Sequence, residues 1–395
     1  MRNTMARVCM IAYSEYPYDT RIRREAEALV HRGDFVESIS LQFDLPGLSR
    51  ELNGVVIHPL RIRRYRGSST LRYILSYLRF FAAALLRVAA EHLRCRFDII
   101  QIHTMPDFMV FSALLPRLMG ARVIIDVHDL MPELFMSKFH VPFDHWLVRA
   151  IRFSEKCSIR FAHAAIAVSG PHLKALVSHG NPPEKFIVLM NSPDPIVFTR
   201  TSRTTGGGVH FKLAYHGDLS NRYNLDIAIR AAGLAFREIP DLRFSIIGEG
   251  EELGRLVMIV NEVKLNHVVD FSKKEFLFSE IPRMLADVDV GLVPLRNGVF
   301  TQYALPVKLL EYVELGIPVI ATRSMAIEHY FGEDMIHYIS GESEQELAES
   351  IVYLHRHPEV RAKMSHNART RAQEISWDRQ KLHYYSLIDS LLCPR

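Results

Sequence analysis

Cysteine is scarce: four in 395 residues, at positions 9, 95, 157 and 393, and no two of them form a CxxC pair. That spacing excludes a disulfide framework and a thiolate zinc centre, and it suits a reducing compartment. Long apolar runs are also missing. The strongest candidate for membrane contact, Phe80 to Leu86, is seven residues set between Arg79 and Arg87, against the roughly 20 that a spanning helix needs. The expectation is a chain that does not cross a membrane. The opening apolar run, Val8 to Tyr13, reads as a strand and not as the core of a secretion signal. No GxxxxGK[ST], HExxH or GxSxG occurs, and no GxGxxG follows the first strand. These absences tell against P-loop ATP hydrolysis, zincin chemistry, serine hydrolysis and an N-terminal dinucleotide site.

What is present is the material of a folded chain: 48% hydrophobic and 23% charged residues, enough apolar mass for buried cores. At this length two domains are the default. Charge divides the chain. Residues 1–200 carry 26 basic against 18 acidic side chains, a net +8, while the remainder carries 22 against 26, a net −4. The excess peaks between Arg61 and Arg96, where nine arginines face a single acid, Glu91.

Apolar runs at Val8–Tyr13, Ile99–His103, Arg122–Val127 and Ala162–Val168 alternate with helical patterns around Ile22–His31 and Phe108–Leu118, and with a helix after Ser169. Such alternation indicates parallel βαβ units. A second set starts at Phe211–Tyr215 and continues through Leu242–Ile247, Val268–Phe271, Val288–Pro294 and Pro318–Thr322, with helices between. The expected organisation is an α/β Rossmann-like domain over 1–198, a polar, glycine-ended linker at 199–208, and a second such domain over 209–375. A C-terminal helix over 376–395 either packs across the domain junction or serves as an ordinary terminal helix. Ligands of such sheets lie at the carboxyl ends of the strands, so a cleft between two domains is the expected site.

Two places in the second half suit a nucleotide. Gly248-Glu-Gly250 follows the strand ending at Ile247, where backbone amides would approach a phosphate, or where the glycines serve only a turn. From Leu305 to Ala321 a proline-led helix carries Lys308 and Glu311 three residues apart, and Gly316-Ile-Pro318 ends it before a strand. Pro306 suits the helix entrance, Val307 and Lys308 after it would present amides and a cation to a diphosphate, and Glu311 would accept from ribose hydroxyls.

At this point the sequence resembles the large retaining glycosyltransferase family of group 4, also described as glycosyl transferases group 1, with the two-Rossmann GT-B fold. The ordered pieces are Asp19 to Leu29, Ile102-His103, Asp126-Val-His128-Asp129 with Pro132-Glu133, Val168-Ser169, Asn191 to Asp194, Tyr215-His-Gly217, Gly248-Glu-Gly250 and Leu305 to Ala321. The resemblance implies a nucleotide sugar held by the C-terminal domain, through Gly217, Arg222, Gly248, Gly250, Pro306, Val307, Lys308 and Glu311. It implies an acceptor held by the basic N-terminal domain, with Arg21, His128 and Asp129 on the acceptor side. His103, Lys308 and Arg222 are the expected catalytic groups, His103 as a positioning residue. Glu311 looks like the second carboxylate of the family's E-x7-E pair, whose first position is here Tyr303, and Asp218 stands where many relatives have a basic residue. Arg222 is the expected substitute.

The implied function is retaining transfer of a sugar from a nucleotide diphosphate, UDP favoured and GDP an alternative, to a hydroxyl of a glycan or lipid-linked saccharide. No cofactor and no metal are expected, with protein groups supplying the electrostatics. Three other readings stand beside it: transfer to a soluble small-molecule glycoside, nucleotide-sugar epimerisation, and a noncatalytic nucleotide-binding interaction protein. The arginines among Leu71, Tyr73, Ile74, Leu75 and Leu78 suit peripheral contact with an anionic membrane at the cytoplasmic face, or a solvated basic surface. No nucleic-acid recognition module accompanies them.

Overall fold

The computed structural model describes residues 5–43, 50–65, 69–195, 197–199, 210–272 and 280–393. The expected linker therefore lies outside the described residues from position 200 onward. The chain forms two compact units, Met1–Asn191 with Asp378–Arg395, and Ser192–Trp377.

The first unit holds β1 (Arg7–Ala12), β2 (Phe35–Ser40), β3 (Glu51–Leu52), β4 (Val55–Pro59), β5 (Ile99–His103), β6 (Arg122–Val127), β7 (Ala164–Ala167) and β8 (Phe186–Val188). They form one eight-stranded sheet in the order β3-β4-β2-β1-β5-β6-β7-β8. Every pairing is parallel except that of β3 with β4. The central strands are buried along nearly their whole length, which is why they read as mostly apolar runs and not as alternating ones. Strand order reverses between β1 and β5, and such a switch point leaves an open crevice at the strands' carboxyl ends.

The second unit holds β9 (Phe211–His216), β10 (Leu242–Ile247), β11 (Val269–Ser272), β12 (Val290–Val293), β13 (Val319–Thr322) and β14 (His337–Ile339), ordered β11-β10-β9-β12-β13-β14 and all parallel. Its switch point lies between β9 and β12.

Two stretches depart from expectation. Phe108–Leu118 is a 3-10 helix over Asp107–Ala113 followed by an α-helix over Leu114–Leu118. Pro116 has no N–H for the Ser112 carbonyl, so one continuous α-helix would leave that acceptor unpaired. The basic, apolar stretch after Arg61 contains a 25-residue helix, Thr70–Arg94, which by length and composition is apolar enough to cross a membrane. The seven-residue run understated it, because interspersed arginines break the run without breaking the helix. The C-terminal helix Trp377–Leu392 forms as expected. From Asp378 it belongs to the first unit, where Tyr384 is fully buried and donates to Gln101 Oε1 at 2.6 Å.

Candidate active-site residues

In the first unit, β5 and β6 pair in register so that His103 lies beside Asp126. His128, two residues beyond Asp126, falls on the same side by the period of the strand. Asp126 Oδ2 lies 3.0 Å from both His103 Nδ1 and His128 Nε2. Thr104 locks the arrangement, its N–H donating to the Asp126 carbonyl at 2.9 Å and its hydroxyl accepting from His128 N at 3.2 Å. All are buried. Burial pushes the Asp126 carboxyl up, but the two imidazoles outweigh it and hold the group far below the carboxylate range. Burial pushes His103 down, and its bond to Asp126 reverses this and raises it above its ordinary value. The bond to Asp126 thus favours the charged form of His103 and turns its Nδ1–H toward the carboxylate. His103 Nε2, His128 Nδ1 and Asp126 Oδ1 are buried without a protein partner, an arrangement open to the hydroxyls of a substrate.

Arg21 joins this cluster. Asp19 caps the helix Thr20–Arg32, accepting from Arg21 N at 3.3 Å and from its guanidinium at 3.1 and 3.0 Å. Burial raises the Asp19 carboxyl, and the guanidinium more than offsets it. Arg21 also feels Asp129 and Asp126, so the expected acceptor-side residues Arg21, His128 and Asp129 gather around His103. Glu25 turns inward instead. It accepts from Gln101 Nε2 at 2.6 Å, and burial followed by the nearby Asp126 pushes it up to about 7. Gln101 is the residue to which Tyr384 donates, so a chain of hydrogen bonds runs from the C-terminal helix to the edge of the cluster. Glu133 bonds His179 Nε2 at 2.9 Å, and His179 Nδ1 reaches Glu155 at 3.0 Å. That buried bridge ties the helix Met131–Phe139 to the rest of the unit.

In the second unit, Lys308 and Glu311 lie one turn apart on the helix Val307–Leu315. Glu311 Oε2 meets His216 Nε2, at the end of β9, at 2.5 Å. Lys308 is 6% exposed. Its Nζ donates to the Tyr215 hydroxyl at 2.6 Å and sits 3.9 and 3.5 Å from the ring centres of Tyr215 and Tyr223. Burial pushes this ammonium well below its ordinary range, against the opposing pull of Asp218 and Glu311. The expected clamp cation is thus caged by aromatics in the free protein. Arg222 lies at the surface, half exposed and paired with Asp218 at 3.2 Å.

The glycines owe their identity to packing. Gly217 has φ +112°, and a Cβ there would stand 3.3 Å from Lys308 Cε. Gly248, at φ +149°, would place a Cβ 1.9 Å from the Gly217 carbonyl, and Gly250 one 2.3 Å from the Leu219 carbonyl. The loops after β9 and β10 press backbone on backbone. Gly217 N donates to Ile247 O at 2.9 Å and Leu219 N to Glu249 O at 2.9 Å. The Gly217 amide is therefore already engaged, whereas the first-turn amides at Val307 and Lys308 have no acceptor within their helix. Tyr303 lies half-buried in the turn before Pro306.

Three metal-capable atoms converge among the described residues only at His103, Asp126 and His128, where their mutual hydrogen bonds account for the spacing and Arg21 already supplies positive charge. The sequence does contain a single Asp-x-Asp, Asp287-Val-Asp289. It precedes β12, at the sheet end opposite the glycine loops, and both of its carboxylates bond Lys212. His216, Asp126 and the Tyr215–Tyr223 cage were also missed as site residues. The available signals were the i, i+2 spacing of Asp126 and His128 and the polar end of β9.

Residues 18–192 match the family described as Glycosyl transferase 4-like domain, and residues 210–371 match Glycosyl transferases group 1. A Candida glabrata protein named chitobiosyldiphosphodolichol beta-mannosyltransferase is 23% identical, over 95% of this chain and 89% of its own length. Among solved structures, a sucrose-phosphate synthase of Thermosynechococcus elongatus superposes with TM-score 0.79 at 16% identity, covering 98% of this chain and 99% of that one. Anabaena HepE, solved with UDP and glucose, gives TM-score 0.74 at 16% identity, covering 98% and 100%. Two parallel-sheet domains, two family matches that together take in most of the chain, and structural neighbours along nearly its whole length lead to one assignment: this chain belongs to the group 1, GT4-type glycosyltransferases and has the GT-B fold.

Proposed function

We propose that this glycosyltransferase takes its sugar from a nucleotide diphosphate, a UDP-sugar in first place and a GDP-sugar second, and delivers it with retention to a hydroxyl of a glycan or lipid-linked saccharide. The observation that carries the donor half is Lys308 and Glu311 side by side at the start of the helix Val307–Leu315, at the switch point of the second sheet. HepE, of the same fold, binds UDP in its solved structure. The name of the fungal relative supports an acceptor carried on a lipid diphosphate.

Each group has a definable task. Breaking the sugar–phosphate bond puts negative charge on the leaving diphosphate, and the helix-start amides of Val307 and Lys308, the Lys308 ammonium and Arg222 would meet it. Glu311, held by His216, would accept from ribose hydroxyls. In the first unit His103 and His128, oriented by Asp126, would turn their outer ring nitrogens, His103 Nε2 and His128 Nδ1, to substrate hydroxyls, while Arg21 and Asp129 flank them.

The test is a thermal-shift titration with UDP, GDP, ADP and dTDP on the wild type and on Glu311→Ala, followed by product analysis. One nucleotide is expected to give a saturable shift that the variant loses. No shift for any of the four in well-folded protein would reject the donor clamp, and inversion at the transferred anomeric carbon would reject retention. Transfer is expected to continue in excess chelator; its loss, restored by magnesium, would reject the metal-free reading.

A further inference from the structure

The helix Thr70–Arg94 is apolar on two sides, and one side alone is used by the protein. Inward, Phe80, Ala84 and Val88 are fully buried. Tyr77 and Phe80 pack on Tyr13 with ring centres 4.5 and 5.3 Å apart, and the Tyr13 hydroxyl bonds Ser76 at 2.6 Å. Outward, Leu71, Ile74, Leu75, Leu78, Leu86 and Leu93 are all about half exposed or more, Leu71 at 76%. Their spacing, with exposed Ala82 between, follows the three- and four-residue steps of one helical stripe. The stripe runs on the order of 33 Å at 1.5 Å per residue. The short helix Leu114–Leu118 packs beside it and widens the surface with Leu114, Leu115 and Leu118, the last 72% exposed.

Charge specifies what covers this face. Arg72 and Arg79 are exposed and lie about a quarter turn from the leucine stripe. Arg61 and Arg64 are exposed just before the helix, and Arg94 and Arg96 near its end. Glu91, the lone acid between Arg61 and Arg96, is already paired with Arg87 and Arg94. Two copies meeting through this face would set arginines against arginines. An anionic lipid surface has the complementary charge and accepts leucines between its head groups while arginines reach to the phosphates.

We propose that this face of the first unit lies flat in an anionic membrane surface, the outer leucines inserted and the flanking arginines on lipid phosphates. The packed inner face opposes a crossing orientation, since Phe80, Ala84 and Val88 belong to the core of the unit. The inference goes beyond the proposed transfer reaction, because membrane binding needs neither donor nor acceptor.

Cosedimentation of the full chain with vesicles tests it, using phosphatidylcholine alone and phosphatidylcholine with about one third phosphatidylglycerol. Binding is expected to the anionic vesicles, to fall with added salt, and to drop at least about tenfold in Leu75→Glu/Leu78→Glu at an unchanged melting temperature. Arg72→Gln/Arg79→Gln is expected to remove the preference for anionic lipid. If the double leucine variant melts early, Leu86→Glu probes the same stripe. Absence of binding to either vesicle, equal binding to both, or binding unaffected by these substitutions would overturn the proposal. So would a wild-type dimer that the leucine substitutions split without any effect on vesicle binding.

Discussion

Binding of a nucleoside diphosphate should carry a proton into the second unit. In the free protein Lys308 is 6% exposed and its ammonium is pushed well below its ordinary range by burial. A diphosphate delivered to the start of the helix Val307–Leu315 brings negative charge beside this nitrogen and favours its charged form. The bound-state pKa then lies above the free-state one, and the sign follows from linkage. Affinity is highest below the free-state value, falls as pH rises between the two values, and levels off above the bound-state value. Each unit of separation contributes about 1.4 kcal/mol, or tenfold in affinity, and inside the window the loss approaches about tenfold per pH unit. Calorimetric titration with UDP across a series of pH values, in buffers of different ionisation enthalpy, locates the window and reads the proton directly. Wild-type heats are expected to depend on the buffer in the sense of uptake. Lys308→Met keeps the side-chain length, leaves the Tyr215 hydroxyl its bond to the Asp218 carbonyl, and should abolish that dependence while weakening UDP. Equal buffer dependence in the two proteins, or tight wild-type binding with no proton uptake and no pH dependence, would refute this account of Lys308.

Further outcomes follow from the same geometry. Glu25, buried and raised from 4.5 to about 7, binds more protons folded than unfolded between those values, so its penalty grows as pH rises through that window and is complete above it. Glu25→Gln is therefore expected to stabilise the fold by at most about 3 kcal/mol at pH 8, read as a raised melting temperature, and not to do so at pH 4. Glu311→Gln keeps the volume beside His216 but removes the charge, and calorimetry should find UDP binding weakened about 10- to 100-fold, the value of a hydrogen bond to a charged group. Gly248→Ala places a Cβ 1.9 Å from the Gly217 carbonyl at φ +149°. Backbone must move, so the fold should lose more than the roughly 1–3 kcal/mol of conformational strain alone, read as a lower melting temperature, with UDP binding lost as the loops separate.

The sequence by itself determined the layers and the strand ends. Val8–Ile11, Val123–Ile125 and Val290–Val293 carry no polar side chain because parallel strands covered on both faces favour apolar residues, and that signal is local. The helix start at Ser169 was equally local, since the cap satisfies an amide three residues on. Phe108–Leu118 and the helix after Ser69 were misread where one residue, Pro116, or scattered arginines changed the pattern. His103, Lys308 and Glu311 were legible as residues but their surroundings were not. Glu311 finds His216 across 95 positions, Lys308 finds Tyr215 across 93, and Gln101 finds Tyr384 across 283. Periodicity reports which face of an element is buried. Which polar groups meet inside that buried face depends on the order of strands in the sheet, and so do the protonation states of Lys308, His103 and Glu25, because burial and neighbouring charge arise only once the sheet is assembled.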